Sequence, residues 1–202
     1  GIFKDQAAVD AYPHWAGARP GDIIFKDVNG DDVIDGNDRV RNDKSRTPRF
    51  TGGLNVDLGY KDFDLSFLLQ GAMGGVFYQT TESGDFANFL KSFYDNRWTE
   101  ENPDADFPRT YNRSNEYFIN QQNTFWLHKT DYIRLKNIEL GYTVPSIWSK
   151  KIGVEHLRVY INAYNLLTIS PDMKDYDPEN TSGSGYNYPL NKVINFGVNL
   201  TF

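Results

Sequence analysis

Hydrophobic and polar residues alternate most cleanly at the end of the chain. Ile194, Phe196, Val198, Leu200 and Phe202 are separated by Asn195, Gly197, Asn199 and Thr201. A period of two places the first set on one face of a β-strand and the second on the other. About ten residues ending on an aromatic is the length a tilted strand needs to cross a bilayer; the edge strand of a soluble sandwich explains the alternation equally well. The same period recurs upstream. Gly52, Leu54, Val56, Leu58 and Tyr60 oppose Thr51, Gly53, Asn55, Asp57 and Gly59. Across Lys61-Asp62 the chain reverses into Phe63, Leu65, Phe67, Leu69 and Met73 against Asp64, Ser66, Gln70 and Ala72, with Leu68 the exception, which reads as a tight hairpin. Ile138, Leu140, Tyr142 and Val144 share a face, whereas Ile133 and Leu135 have the opposite parity, and a bulge near Lys136-Asn137 reconciles them. Leu157, Val159, Ile161 and Ala163 against Arg158, Tyr160, Asn162 and Tyr164 complete the set. The expected strands are about 48–60, 62–74, 130–144, 155–169 and 191–202.

The connections differ in kind. Short ones lie at Gly59–Asp62 and Pro145–Glu155, and long ones lie before Arg49, over 75–129 (with a short helix expected around Phe86–Tyr94) and over 170–190. Since each strand reverses the last, all short turns fall at one end of the sheet and all long segments at the other. Outer-membrane barrels have this asymmetry, with short periplasmic turns and long extracellular loops. Tyr60, Phe63, Tyr142, Trp148 and Phe202 gather at the short-turn end, as an interfacial girdle would. Polar-face positions such as Asp57, Asp64, Gln70, Asn195 and Asn199 suit the water-filled interior of a wide barrel and equally the outer face of a sandwich.

Composition narrows the choice. The 202 residues carry a net charge of -6, which argues against a nucleic-acid surface, and no Cys, which excludes disulfides and thiolate metal sites. Aromatic content of 15% is high for a chain with a mean hydropathy of -0.60, a profile that a polar-lumened barrel shares. Gly1–Asp5 has neither the basic start nor the apolar core of a signal peptide, so the chain is either cytoplasmic or preceded by further residues.

Residues 1–47, rich in Pro, Gly and carboxylates, read as an ordered extracellular loop rather than a layer of core. Within them Asp27, Asn29, Asp31, Asp35 and Asp38 fall at positions 1, 3, 5, 9 and 12 of a calcium loop, with the carbonyl of Val33 at position 7. Asp32 stands at position 6, where glycine normally makes the turn, and Asp38 is shorter than the usual bidentate Glu. The competing reading is an Asx-rich turn without an ion. Catalytic signals are thin: His14, His128 and His156 have no triad or metal spacing, Gly183-Ser184-Gly185 is no nucleophile elbow, and Glu100-Glu101 suits a solvated loop. The alternatives to a membrane wall are thus a soluble secreted β-sandwich, either a carbohydrate-active enzyme or a calcium-binding adhesion module.

Several runs occur together in order: Pro20-Gly21-Asp22-Ile23 leading into Asp27-Val28-Asn29-Gly30-Asp31, then Arg97-Trp98-Thr99-Glu100-Glu101-Asn102-Pro103 and Tyr132-Ile133-Arg134-Leu135-Lys136-Asn137-Ile138. Leu140-Gly141-Tyr142-Thr143-Val144-Pro145, Leu157-Arg158-Val159-Tyr160, Asn165-Leu166-Leu167-Thr168 and the closing Phe196-Gly197-Val198-Asn199-Leu200-Thr201-Phe202 follow. In this combination the chain resembles the C-terminal part of SusC/RagA-type TonB-dependent transporters, with His128-Lys129-Thr130 departing from the usual acidic, small-residue stretch. The resemblance implies an all-β fold, the C-terminal antiparallel strands of a large (22-stranded) transmembrane β-barrel in the outer membrane of Bacteroidetes. It implies no enzymatic activity and uptake of glycans, peptides or other nutrients with a SusD-like surface lipoprotein, which the loops 75–129 and 170–190 are placed to touch. It also implies a plug and TonB-engaging segment preceding Gly1, and Phe202 as a barrel assembly signal.

Overall fold

The computed structural model describes residues 1–78, 90–110, 123–180 and 188–202. The chain forms two compact units. One comprises the described residues of Gly1–Lys44 and Tyr78–His128, the other those of Ser45–Phe77, Lys129–Thr181 and Asn187–Phe202.

The second unit is built on a five-stranded antiparallel sheet. Its strands come from β1 (Phe50–Tyr60), β2 (Phe63–Met73), β5 (Tyr132–Val144), β6 (His156–Ile169) and β7 (Val193–Thr201), in that spatial order. Two further strands, β3 (Val76–Tyr78) and β4 (Leu127–Lys129), are three residues each. The β1–β2 reversal is made by Lys61 and Asp62, with Lys61 in the left-handed region at φ 54°.

The register joins the alternating sets into continuous faces. Leu58 pairs with Leu65, Leu65 with Leu140, Leu140 with Ile161 and Ile161 with Phe196. The neighbouring row on the same face runs Tyr60, Phe63, Tyr142, Val159 and Val198, with the Phe63 and Tyr142 rings 4.7 Å apart. Pairing steps by one residue between Leu135 and Asn137, where the change of parity predicts it, and this brings Ile133 and Leu135 onto the apolar face. On the β6 side of the same step two residues, Asn165 and Leu166, lie opposite the single Lys136, and Asn165 takes φ 52°. At about 3.3 Å per residue and a tilt near 40°, the 11 residues of β1 rise about 28 Å, close to the apolar band of an outer-membrane barrel.

Residues 1–44 depart from expectation, because they contribute to a core instead of forming only a loop. Trp15, Ile23 and Ile34 are buried in one cluster with Phe93 and Trp126, packed further by Phe25, Phe107 and Phe125. These partners lie some 60 to 110 residues along the chain, so local periodicity gives no sign of them. Helix α1 (Gln6–Asp10) is capped by Asp5, which accepts a hydrogen bond from the Ala8 N–H at 2.8 Å. The helix expected around Phe86–Tyr94 is found as α2 (Lys91–Asn96), and positions 86–89 lie outside the described residues.

Two of the recognised runs meet in this unit. Gly21 has φ 84°, and a Cβ there would stand 2.6 Å from the Trp98 ring and 2.8 Å from Cβ of Arg109. Only glycine satisfies both the backbone and the space. Asp22, fully buried, pairs with Arg109 Nε at 2.6 Å and accepts from the Arg19 N–H at 3.0 Å. Pro-Gly-Asp-Ile and Arg-Trp-Thr-Glu-Glu-Asn-Pro are therefore two halves of one packing arrangement.

Candidate site on the polar face of the sheet

The sheet wears its hydrophobic residues outward. Leu54, Leu58, Leu140, Phe196 and Leu200 are all exposed, Phe196 at 81%. Across the sheet, its polar face carries Arg134, which is 0% exposed. Around β5 this inverts the soluble arrangement, in which a half-buried sheet hides its apolar side, while along β1 and β7 both faces are exposed.

Arg134 sits at polar-face parity on β5, where a buried guanidinium demands opposite charge and filled donors. It donates from Nε to Thr168 Oγ1 at 2.9 Å and from Nη2 to Asp177 Oδ2 at 2.6 Å, and its Nη1 pairs with Glu179. Glu179 is held further by the Tyr132 hydroxyl at 2.8 Å and by Gln70 Nε2 at 3.3 Å. Local sequence shapes the segment that meets it. Asp177 Oδ1 accepts from the Glu179 N–H at 2.9 Å and its carbonyl from the Asn180 N–H at 2.8 Å, a turn for which Pro178 presets the backbone. The segment after β6 is thereby fastened to the polar face, and Ser170 Oγ, donating to the Asp131 carbonyl at 2.8 Å, fixes its start.

Beside this clamp is a cavity of about 620 Å³, bounded by Arg46, Thr51, Gln70, Phe77, Tyr132 and Glu179 among others. The Arg46 guanidinium lies over the Phe77 ring, 5.5 Å from its centroid.

A second network crosses the same face nearer the short-turn end. Arg158 donates from Nε to Asp64 Oδ1 at 3.0 Å and from Nη2 to Glu139 Oε1 at 2.7 Å, as well as to Asp64 Oδ2. Asn162 donates to Glu139 at 3.3 Å, and Asn195 to Asn162 at 3.0 Å. Gly141 makes the crossing possible, for a Cβ there would stand 2.2 Å from Arg158 Nη2. At Gly197 the Tyr160 ring fills the space, with its Cζ 2.2 Å from where a Cβ would lie. The Gly of Leu-Gly-Tyr, the Arg and Tyr of Leu-Arg-Val-Tyr and the Gly of Phe-Gly-Val-Asn thus form one polar layer.

The expected calcium ligands are drawn to their own backbone. Asp27 accepts from the N–H groups of Gly30 and Asp32 at 2.7 and 2.9 Å, Asn29 from Asp31 at 3.1 Å, and Asp31 from Val33 at 3.0 Å. Asp35 accepts from Asn37 at 2.7 Å, and Asp38 from Val28 and Asp35, both at 2.8 Å. Those N–H groups hold the Asp38 carboxyl below the usual carboxylate range. Asp32 takes φ 61°, the left-handed turn that position 6 of a calcium loop requires. The turn fits the ion, but the carboxylates are not gathered: among the described residues no three His, Cys, Asp or Glu side chains are grouped to hold a metal. Phe202 ends the chain exposed. Parts of the loops expected to touch a lipoprotein, at 79–89, 111–122 and 181–187, lie outside the described residues.

The strand faces singled out Asp64 and Gln70 as polar-face positions, but their partners did not emerge from the sequence. Arg134 and Arg158 at polar parity are the signal that the sequence offers: an inward cation in a strand requires an anion across the face.

No protein-family model matches the chain. It is 32% identical over 199 residues to TonB-dependent receptor P3 of Formosa agariphila, covering 91% of this chain and 19% of that protein. TonB-dependent receptor SusC of Bacteroides thetaiotaomicron is 29% identical over 189 residues, covering 91% and 18%. Among solved structures, the RagAB peptide transporter superposes with a TM-score of 0.63 at 27% identity, covering 85% of this chain and 19% of that one. The chain spans about a fifth of the length of the curated relatives it matches, and those relatives are receptors rather than enzymes.

Proposed function

The chain belongs to the SusC/RagA family of TonB-dependent outer-membrane receptors, and from that premise we propose that its sheet is part of the wall of a nutrient importer. The observation that carries this reading is the inverted sheet, with Leu58, Leu140 and Phe196 exposed on one face and Arg134 buried on the other. Lipid solvates the first face, and the second lines the lumen. Both end strands, β1 and β7, pair on one side only within this chain, and in the full protein further strands complete a 22-stranded barrel of which this is the C-terminal part. The short turns face the periplasm and the long segments the exterior, where a SusD-like lipoprotein meets them. Import of glycans or peptides is driven through TonB, which engages a segment outside this chain.

Two residue-level roles belong to the same reading. Phe202, closing the last strand on the lipid-facing parity, serves as the assembly signal, so its deletion lowers the amount of folded barrel. Calcium orders the extracellular Asp27–Asp38 loop, with Asp27, Asn29, Asp31, Asp35 and Asp38 turning from their amides toward the ion and the Val33 carbonyl joining them. The donor spacing and the left-handed Asp32 support this structural role, at an affinity of about 10⁻⁴ to 10⁻³ M. Calorimetric titration of the full protein tests it; absence of calcium-dependent heat in the wild type removes the ion.

The importer itself is tested by fractionation and uptake. Full-length protein is expected in the outer membrane, requiring detergent for extraction, and its deletion is expected to abolish TonB-dependent growth on the nutrient it serves. Recovery in a soluble fraction would favour a secreted sandwich instead.

A further inference from the structure

We propose that the cavity beside the Arg134 clamp is a subsite for the carboxylate of an imported solute, with Arg46 as the group that pairs with it. The proposal rests on the importer reading and adds a ligand chemistry to it.

The lining is rich in unspent donors. Both carboxylate oxygens of Glu179 are occupied, Oε1 by Tyr132 and Gln70 and Oε2 by Arg134, so they are engaged within the wall, while Arg134, shared with Asp177, leaves the clamp one net negative charge that Arg46 offsets. Arg46 differs: its contact among the described residues is with the face of the Phe77 ring, which leaves its N–H groups in the guanidinium plane for a ligand. The Thr51 and Thr130 side chains, both in the lining, add hydroxyl groups. An acceptor-rich, anionic group completes such a set, and a planar carboxylate matches the guanidinium fork in both charge and geometry.

The remaining surface sets the rest of the ligand. Phe77, Leu68, Pro48 and Pro178 form apolar walls, and Gly53, at polar-face parity, leaves space against the backbone. About 620 Å³ is room for a few residues or sugar rings, within the usual range of small-molecule pockets. The clamp fixes one wall: Arg134 holds Asp177 and Glu179, so that side of the cavity needs little ordering on binding.

The carboxylate has two chemical sources, the C-terminus of a peptide and a uronate sugar. Calorimetry on the full-length receptor in detergent separates them with four probes: the tripeptide Ala-Phe-Ala, its C-terminal amide, trigalacturonate and its methyl ester. One free acid is expected to bind about tenfold or more tightly than its capped form, the difference of one charge-assisted pair. That preference is expected to vanish in Arg46→Met and to survive in part in Arg46→Lys. The acid that is preferred identifies the source. Equal binding of acids and capped forms, no binding by any probe, or a preference that persists in Arg46→Met would overturn the subsite. Uptake in a strain lacking the receptor is read in parallel. If its loss changes no nutrient uptake, the importer reading falls; if uptake depends on the receptor while Arg46→Met makes no difference to acid preference, the subsite alone falls.

Discussion

Replacing Arg134 by Met tests whether the segment after β6 is held by charge. The substitution keeps most of the side-chain volume and removes a fully buried guanidinium bound to Thr168, Asp177 and Glu179. Breaking a buried pair by deleting one partner costs about 3 to 5 kcal/mol. Here the abandoned carboxylates keep some access to water, at 25% for Asp177 and 41% for Glu179, so we expect the lower part of that range or less, about 2 to 3 kcal/mol. The loss falls on the clamp rather than on the ladder, since β5 keeps its neighbours β2 and β6. Hydrogen exchange in the full-length protein should therefore quicken about 30- to 150-fold across residues 172–180, with β5 and β6 little changed. Adding Asp177→Asn and Glu179→Gln to Arg134→Met should recover part of the protection, because the uncompensated charges are gone. Unchanged exchange at 172–180 would refute the clamp, and collapse of the whole sheet would show that Arg134 supports the strands instead.

Gly21→Ala should destabilise the unit of Gly1–Lys44 and Tyr78–His128 by at least about 2 kcal/mol, through a left-handed backbone and contact with the Trp98 ring, read as increased proteolysis of that unit in the full protein. Gly141→Val should displace the Arg158–Asp64 pair and cost about 1 to 3 kcal/mol, measured as a lower unfolding temperature of the barrel; no shift would mean the pair is dispensable. For Asp38 the folded-state pKa lies below the unfolded value, so its contribution is present above the ordinary carboxylate range near pH 4 and is lost as pH falls through the lowered value. Protection of the Val28 and Asp35 amides, corrected for the intrinsic pH dependence of exchange, should fall on acidification, and Asp38→Asn should remove that dependence.

The strands and their faces are legible in the sequence because period two is local. The slip at Lys136 is legible for the same reason, since one extra residue flips parity. The irregularity at Asn165 and Leu166 is silent: Ala163 and Leu167 keep the same parity across it, so the alternation gives no warning. The aromatic core is hidden for another reason, as Trp15 and Ile34 find Phe93 and Trp126 far along the chain. The site lies between these cases. Arg134 announces a need for anions, but choosing Asp177 and Glu179 over other carboxylates takes the fold of the returning segment. Likewise the glycines at 141 and 197 read as strand interruptions until Arg158 and Tyr160 are seen lying across them.

The central claim is that one face of the sheet meets lipid and the other meets water. It is tested most directly on adjacent residues of β7 in the full-length protein, Phe196→Arg against Asn195→Arg, by the fraction of folded barrel in outer membranes and its resistance to unfolding. Phe196 shares its row with Leu58, Leu65, Leu140 and Ile161, where a charge toward mid-membrane costs about 2 to 4 kcal/mol. Asn195 lies beside Asn162 on the face that carries Glu139, where an arginine finds water and an opposite charge. We predict loss of folded barrel for Phe196→Arg and near wild-type levels for Asn195→Arg; equal effects, or the reverse order, would contradict the membrane wall.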